Sequence, residues 1–287
     1  MDQAILQALE GIRNQFLDIV FAAWTMLGEE IFITAIIAVV FFCINKSLGE
    51  KMLVTILSAS AFCTGLKSAI RRTRPYAAGV VDKVDVDTPF VSTNDLDIDM
   101  SCPSGHSCAS ASFFGNLALT FRRPGVIVFS IIAVLGVMFS RLYLGVHYPT
   151  DVLSGFAIGV LFAIIWQTVY AGFYKKRLWV FFAFALLTLP FLFIARTMTE
   201  SMFKISAITL AAAIGLLIEE KFFCFADANK WWKRILRLAI AIIAAAVPFL
   251  LLHRFLPDGN WTTFAQYFAA IFFALTVTPL LIVKLRL

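Results

Sequence analysis

Apolar residues in this chain are gathered in long blocks instead of alternating or recurring every third or fourth position. Nine such blocks stand out, at roughly 30–45, 51–70, 104–121, 126–144, 150–173, 178–195, 203–218, 235–255 and 263–283. Each runs about 15 to 24 residues, close to the roughly 20 that carry a helix across a hydrocarbon core about 30 Å thick. The pattern predicts nine membrane-spanning helices. Residues 2–28 behave differently. Glu10, Arg13 and Asp18 interrupt their apolar positions, which suits amphipathic helices lying in the membrane interface. The same stretch lacks the basic start and small-residue cleavage site of a signal peptide, so insertion is expected to rely on the spans themselves.

Composition agrees with this reading. Of 287 residues, 61% are hydrophobic and 15% charged, against about 25% charged in a soluble domain. The net charge of +6 sits between apolar blocks, so it points to membrane topology and away from nucleic acid. Nine spans make the loops alternate sides. Lys46, Lys51, Arg122, Arg123, Lys175, Lys176, Arg177, Lys221, Lys230, Lys233, Arg234, Arg237, Lys284 and Arg286 then share one side, joined by only four acids, Glu50, Glu219, Glu220 and Asp227. That side is expected to be cytoplasmic, with the N-terminus outside and the C-terminus inside. Trp231 and Trp232 read as an interfacial anchor there. The expected fold class is therefore all-α and integral to the membrane. The five cysteines show no metal-like spacing, and a pairing of Cys102 with Cys108 is left open.

Three polar clusters interrupt the blocks, and the topology puts all three on the outer face. Lys67-Ser-Ala-Ile-Arg-Arg-Thr-Arg74-Pro75 closes the second span. Lys67 and Arg74 are seven residues apart, about two helical turns, so they can point the same way. Pro103-Ser104-Gly105-His106 opens the third span. There Ser104 can cap the helix, Gly105 lets backbone approach a ligand, and free N–H groups favour an anion. The third cluster is Ser140-Arg141 followed by His147-Tyr-Pro-Thr-Asp151 at the start of the fifth span. Asp151 can take the proton of one imidazole nitrogen of His147, leaving the other as a nucleophile, while the planar fork of Arg141 suits phosphate oxygens. Three cations, a helix N-terminus and two of the three histidines make an inventory for displacement at phosphorus.

These strings, KSAIRRTRP, PSGH and SRLYLGVHYPTD, resemble the three-part signature of the type 2 phosphatidic acid phosphatase family, with every signature position filled. The resemblance covers about residues 14–173. It implies a helical lipid-phosphatase core that uses no metal or other cofactor. His147 would attack phosphorus and become a phosphohistidine, oriented by Asp151. His106 would protonate the leaving alcohol, and Lys67, Arg74, Ser104, Gly105 and Arg141 would hold the phosphate. A fainter resemblance, through TMLGEEIFITAIIAVVFFCIN, is to sphingosine-phosphate phosphatases. Family members of the lipid type usually carry six spans; here the usual first span is absent and four follow the core.

The expected organisation is interfacial helices at 1–28, a catalytic core at 29–175 and a four-span extension of unknown role at 176–287. Hydrolysis of a lipid phosphate or diphosphate in the bilayer leads, and a bacterial plasma membrane is the favoured setting. Phosphotransfer to a lipid acceptor, or a lipid transporter or flippase built on a phosphatase-like core, are the other readings. Several features sit outside this scheme. The acidic loop 76–103, with Asp82, Asp85, Asp87, Asp95, Asp97 and Asp99, is a solvated loop or a lid. Arg71 and Arg72 add phosphate contacts or meet lipid headgroups. His253-Arg254 reads mainly as a snorkelling pair, and Asn260-Trp-Thr is a glycosylation sequon.

Overall fold

The structure, a computed structural model, describes residues 2–85, 87–88, 91–92, 100–194, 199–228 and 230–287. Asp95, Asp97 and Asp99 of the acidic loop lie outside these residues, as does Arg196. The fold is helical. In chain order the helices are α1 (Asp2–Glu10), α2 (Gln15–Met26), α3 (Glu30–Val39), α4 (Lys46–Ile70), α5 (Gly105–Phe121), α6 (Pro124–Tyr143), α7 (Pro149–Gly172), α8 (Arg177–Thr188), α9 (Glu200–Ile218), α10 (Trp231–Phe255) and α11 (Asn260–Lys284). A π-helical turn, Val40–Ile44, continues α3, and another, Glu219–Phe223, continues α9. Among the described residues the one departure is a two-residue antiparallel bridge, Asp87–Thr88 with Val91–Ser92, in the acidic loop.

Every apolar block falls on a helix. Seven helices are long and apolar enough to cross a membrane, and an eighth span results if α2 and α3, bent at the break between them, count as one. Helix α5 has 17 residues, which span about 25 Å at 1.5 Å per residue. Its ends are defined by local chemistry. The Ser104 hydroxyl accepts from the Ser107 N–H, and Arg122 adopts a left-handed conformation (φ 51°) that stops the helix. Pro124 then opens α6 from its first position, where a missing N–H costs nothing. Residues 2–26 form two helices, and Asn14 caps the second through the Leu17 N–H at 3.1 Å.

Contacts divide the chain into two units. One comprises Met1–Thr34 and Phe62–Thr168, the other Ala35–Ala61 and Val169–Leu287. In the first, α5 and α6 form an antiparallel hairpin, and α2 lies along α6. The seam between α5 and α7 is built from small residues. A Cβ placed on Gly155 would sit 2.3 Å from the Ser104 carbonyl oxygen, and one on Gly159 would sit 2.5 Å from that of Cys108. A Cβ on Gly136 of α6 would fall 2.3 Å from the Trp24 ring. Close approach of this kind is how helices associate in lipid, where apolar burial gives little drive. Val128, Ile131, Ile132 and Leu135 of α6 are left exposed, as expected of a lipid-facing side.

In the second unit α9 packs on α8 and α11, and α10 on α11. All four acids assigned by sequence to the basic side are engaged here. Glu50 takes Arg177 at 2.5 and 3.1 Å, Glu220 also takes Arg177 at 2.7 Å, and Glu219 takes the Lys46 ammonium at 2.6 Å. Asp227 accepts the Lys46 backbone N–H at 2.9 Å.

The glycine seam gives a direct test. Gly159→Ala is expected to destabilise the protein in detergent by about 1–3 kcal/mol through overpacking against backbone. Gly172→Ala, where a Cβ meets nothing within 4 Å, should leave thermal unfolding unchanged. Equal melting temperatures for the two variants would show that the seam is not close-packed.

Candidate active site

All eight residues singled out by sequence lie in the first unit. Lys67 stands in the last turn of α4, Arg74 in the segment after it, and Arg141 in the last turn of α6. Ser104 caps α5, Gly105 and His106 form its first turn, His147 precedes α7, and Asp151 lies in the first turn of α7. Two of the three strings are joined through backbone, because the Ser104 N–H donates to the Asp151 carbonyl at 2.9 Å. The third is joined through Arg74, whose Nη1 donates to the Val146 carbonyl at 3.0 Å and lies 3.4 Å from His147 Nε2.

His147 is buried and its two nitrogens face different chemistry. Nε2 looks toward Arg74. Nδ1 is 3.5 Å from Ser101 Oγ and 3.8 Å from Asp151 Oδ2, and Ser101 Oγ makes a very short bond to that same carboxylate oxygen. The expected His147–Asp151 pair is thus present with Ser101 set beside it as a shared partner. Asp151 is held further by the Tyr148 N–H at 2.9 Å and by Arg72 Nη1 at 2.7 Å. Burial, together with the positive fields of Arg74, Arg141 and Lys67, pushes the His147 pKa well below its ordinary value of 6.5, against the pull of Asp151. Both effects favour the neutral form of this imidazole in the folded protein.

The cations converge on the same space. A Cβ on Gly105 would lie 3.6 Å from Lys67 Nζ, so the ammonium sits directly over the start of α5. Arg141 is buried, donates from Nη1 to Thr25 Oγ1 at 2.8 Å, and keeps an Nε that meets no hydrogen-bond acceptor among the described residues. A buried guanidinium in this state is poised for an anion. His106 has a different acidic partner from that of His147. Its Nε2 is 2.8 Å from Glu29 Oε1, at the break between α2 and α3.

Phosphatidylglycerophosphatase B of Bacillus subtilis (strain 168) is 33% identical to this chain over 174 residues, which make up 56% of this chain and 78% of that protein. Residues 50–175 match the PAP2 superfamily, and residues 203–287 match the description "PAP2 superfamily phosphatase, transmembrane extension". The chain belongs to the PAP2 superfamily. A lipid A 1-phosphatase of Rhizobium etli is 33% identical over 127 residues, but the chain spans only about half of that relative's length, 51%. A crystal structure of a transmembrane PAP2-type phosphatidylglycerolphosphate phosphatase from Bacillus subtilis superposes with a TM-score of 0.49 at 27% identity, covering 60% of this chain and 85% of that one.

Sequence reasoning missed three polar residues around these strings, Ser101, Thr25 and Glu29, and left the aim of a fourth, Arg72, open. Ser101 precedes the second string by two positions and carried no signal. Thr25 lies 42 residues before the nearest string, in the stretch read as interfacial, and Glu29 lies 38 before it, at the start of the expected core. Arg72, left between phosphate and lipid headgroups, instead bonds Asp151 and Thr150 Oγ1, both at 2.7 Å, and stacks 3.9 Å over the Tyr148 ring. Of the residues outside the strings, His253 stacks on Phe249 in the second unit. The five cysteines are free thiols among the described residues, and Cys102 lies 3.8 Å from Ser154 Oγ.

The depressed His147 pKa sets a pH dependence. An unfolded chain binds a proton at this residue near pH 6.5 while the folded one resists it, so stability is lost as pH falls through and below that value. His147→Asn should therefore lose less thermal stability than the parent between pH 7.5 and pH 5.5, measured without phosphate. Parallel losses in both proteins would show that His147 is not held neutral.

Proposed function

We propose that this protein hydrolyses the phosphate ester of a membrane lipid through a phosphohistidine on His147. The observation that carries the reading is the division of labour around that one ring: Nδ1 is set against Asp151 and Ser101 while Nε2 faces Arg74, in a pocket whose cations outnumber its acids. Phosphate enters with its oxygens toward Arg74, Arg141, Lys67 and the N-terminus of α5, where the macrodipole favours negative charge. Nε2 attacks phosphorus and the bond to the lipid oxygen breaks. As Nε2 bonds phosphorus the ring gains positive charge, and Asp151 with Ser101 takes up the Nδ1 proton as a hydrogen bond. His106 gives a proton to the departing alkoxide, then takes one from the water that attacks the phosphohistidine, so that phosphate leaves and Nε2 is restored.

The relatives whose names mention phosphatidylglycerophosphate and lipid A support a phosphorylated lipid as substrate. The exposed apolar sides of the helices would keep its chains in the bilayer. The charge asymmetry between loops supports an extracytoplasmic site in a bacterial plasma membrane.

Purified protein in detergent, assayed for phosphate release, tests the proposal against phosphatidic acid, phosphatidylglycerophosphate, a polyprenyl diphosphate and a sphingoid phosphate. At least one should be turned over, and His147→Ala should lower that turnover by about three orders of magnitude or more. A His147→Ala protein with near-normal turnover overturns the assignment. Orthovanadate, which adopts the five-coordinate geometry of the transition state, should compete with substrate. No inhibition at millimolar vanadate would count against the pocket as an anion site.

A further inference from the structure

The break between α2 and α3, Leu27-Gly28-Glu29, is pressed onto the first turn of α5. Gly28 is the reason it fits. A Cβ there would lie 2.8 Å from Val137 Cγ1, 3.1 Å from the His106 carbonyl oxygen and 3.2 Å from His106 Cβ. The Glu29 backbone is fixed on both sides, donating from N–H to the Met26 carbonyl at 3.1 Å and accepting from the Ile33 N–H at 3.0 Å. Its carboxylate then meets His106 Nε2 at 2.8 Å, with the two side chains only 20% and 19% exposed. One turn earlier, Thr25 holds Arg141. The break therefore touches two members of the site, although it lies 77 residues from His106 in the chain.

His106 has a difficult task where it stands. The Lys67 ammonium stands over the start of α5 beside it, and a neighbouring positive charge disfavours a proton on an imidazole. A general acid has to carry that proton when the substrate arrives. Glu29 is the carboxylate within hydrogen-bond distance of this imidazole, and it is itself within electrostatic reach of Arg141. We infer that Glu29 is the positioning residue that keeps His106 charged and fixes which nitrogen moves the proton. This rests on the assignment of His106 as the leaving-group acid. Glu29 accepts the Nε2–H throughout, and Nδ1 does the transfer. When the P–O bond breaks, its electron pair goes to the lipid oxygen, which takes the Nδ1 proton. His106 becomes neutral and recovers that proton from the attacking water. Glu29 never bonds to substrate.

The test compares two esters with different need of a proton. An alkyl lipid phosphate leaves as a strongly basic alkoxide, whereas p-nitrophenyl phosphate leaves as a stable phenolate. Glu29→Gln keeps the shape and removes the charge. It should lower kcat for the alkyl ester about ten- to hundredfold, move the alkaline limb of kcat to lower pH, and change KM and the p-nitrophenolate burst, which reports transfer to His147 alone, by less than about threefold. Glu29→Asp should recover part of the alkyl rate and of the pH profile. Equal losses on both esters with an unmoved pH profile, in either variant, would show a merely structural role and overturn the inference. His106→Asn separates the two levels. If it fails to show the alkyl-selective loss, the general-acid assignment itself is wrong. If it shows that loss and Glu29→Gln does not, only the role given to Glu29 falls.

Discussion

Like charges confined in a buried pocket constrain this fold more than any other interaction. Arg74 and Arg141 are buried and Lys67 is half-buried nearby, and each would be cheaper in water. Backbone and hydroxyl oxygens meet part of the cost: the Val146 carbonyl holds Arg74 and Thr25 holds Arg141. Carboxylates are kept at the margins, Asp151 behind His147 and Glu29 behind His106. That leaves the cations facing one another, and it is this excess that the proposed phosphate would offset, while each histidine keeps a carboxylate partner.

Much of this was legible in the sequence because the three strings combine rare residue types at fixed spacings. Arg74, Arg141, His147 and Asp151 could be named from their positions at the ends of apolar blocks, and the helices fell where those blocks lie. What escaped was contributed by tertiary approach. Glu29 reads as an ordinary acid at the edge of the first apolar block until the break it occupies is seen against α5. Ser101 is an ordinary serine until α7 places Asp151 beside it. Arg72 was visible as a cation, but its aim toward the carboxylate depends on the turn after α4, where Arg71 takes a left-handed conformation (φ 50°). Pair distances across a hundred residues are not encoded in local pattern.

The second unit follows a different electrostatic logic. Its acids Glu50, Glu219, Glu220 and Asp227 each bond a basic residue, and the buried Glu50–Arg177 pair is extended by the half-exposed Glu220 and by the Tyr170 hydroxyl at 2.7 Å. Such pairs specify geometry more than they add stability, since desolvation offsets most of the attraction. Residues 203–287 carry nine Lys and Arg against four acids, and three of those acids, Glu219, Glu220 and Asp227, are each bonded to a basic residue.

The hydrogen bond from the Ser104 N–H to the Asp151 carbonyl has a mechanical meaning. Counting along the backbone, His106 is two residues from one end of that bond and His147 four from the other. The residue that would donate the proton and the one that would attack are mounted on a single stiff joint, and the close-packed glycines below it leave no slack. Under the proposed mechanism, that common mount would set the interval between attacking and donating imidazoles by covalent geometry and helix packing alone.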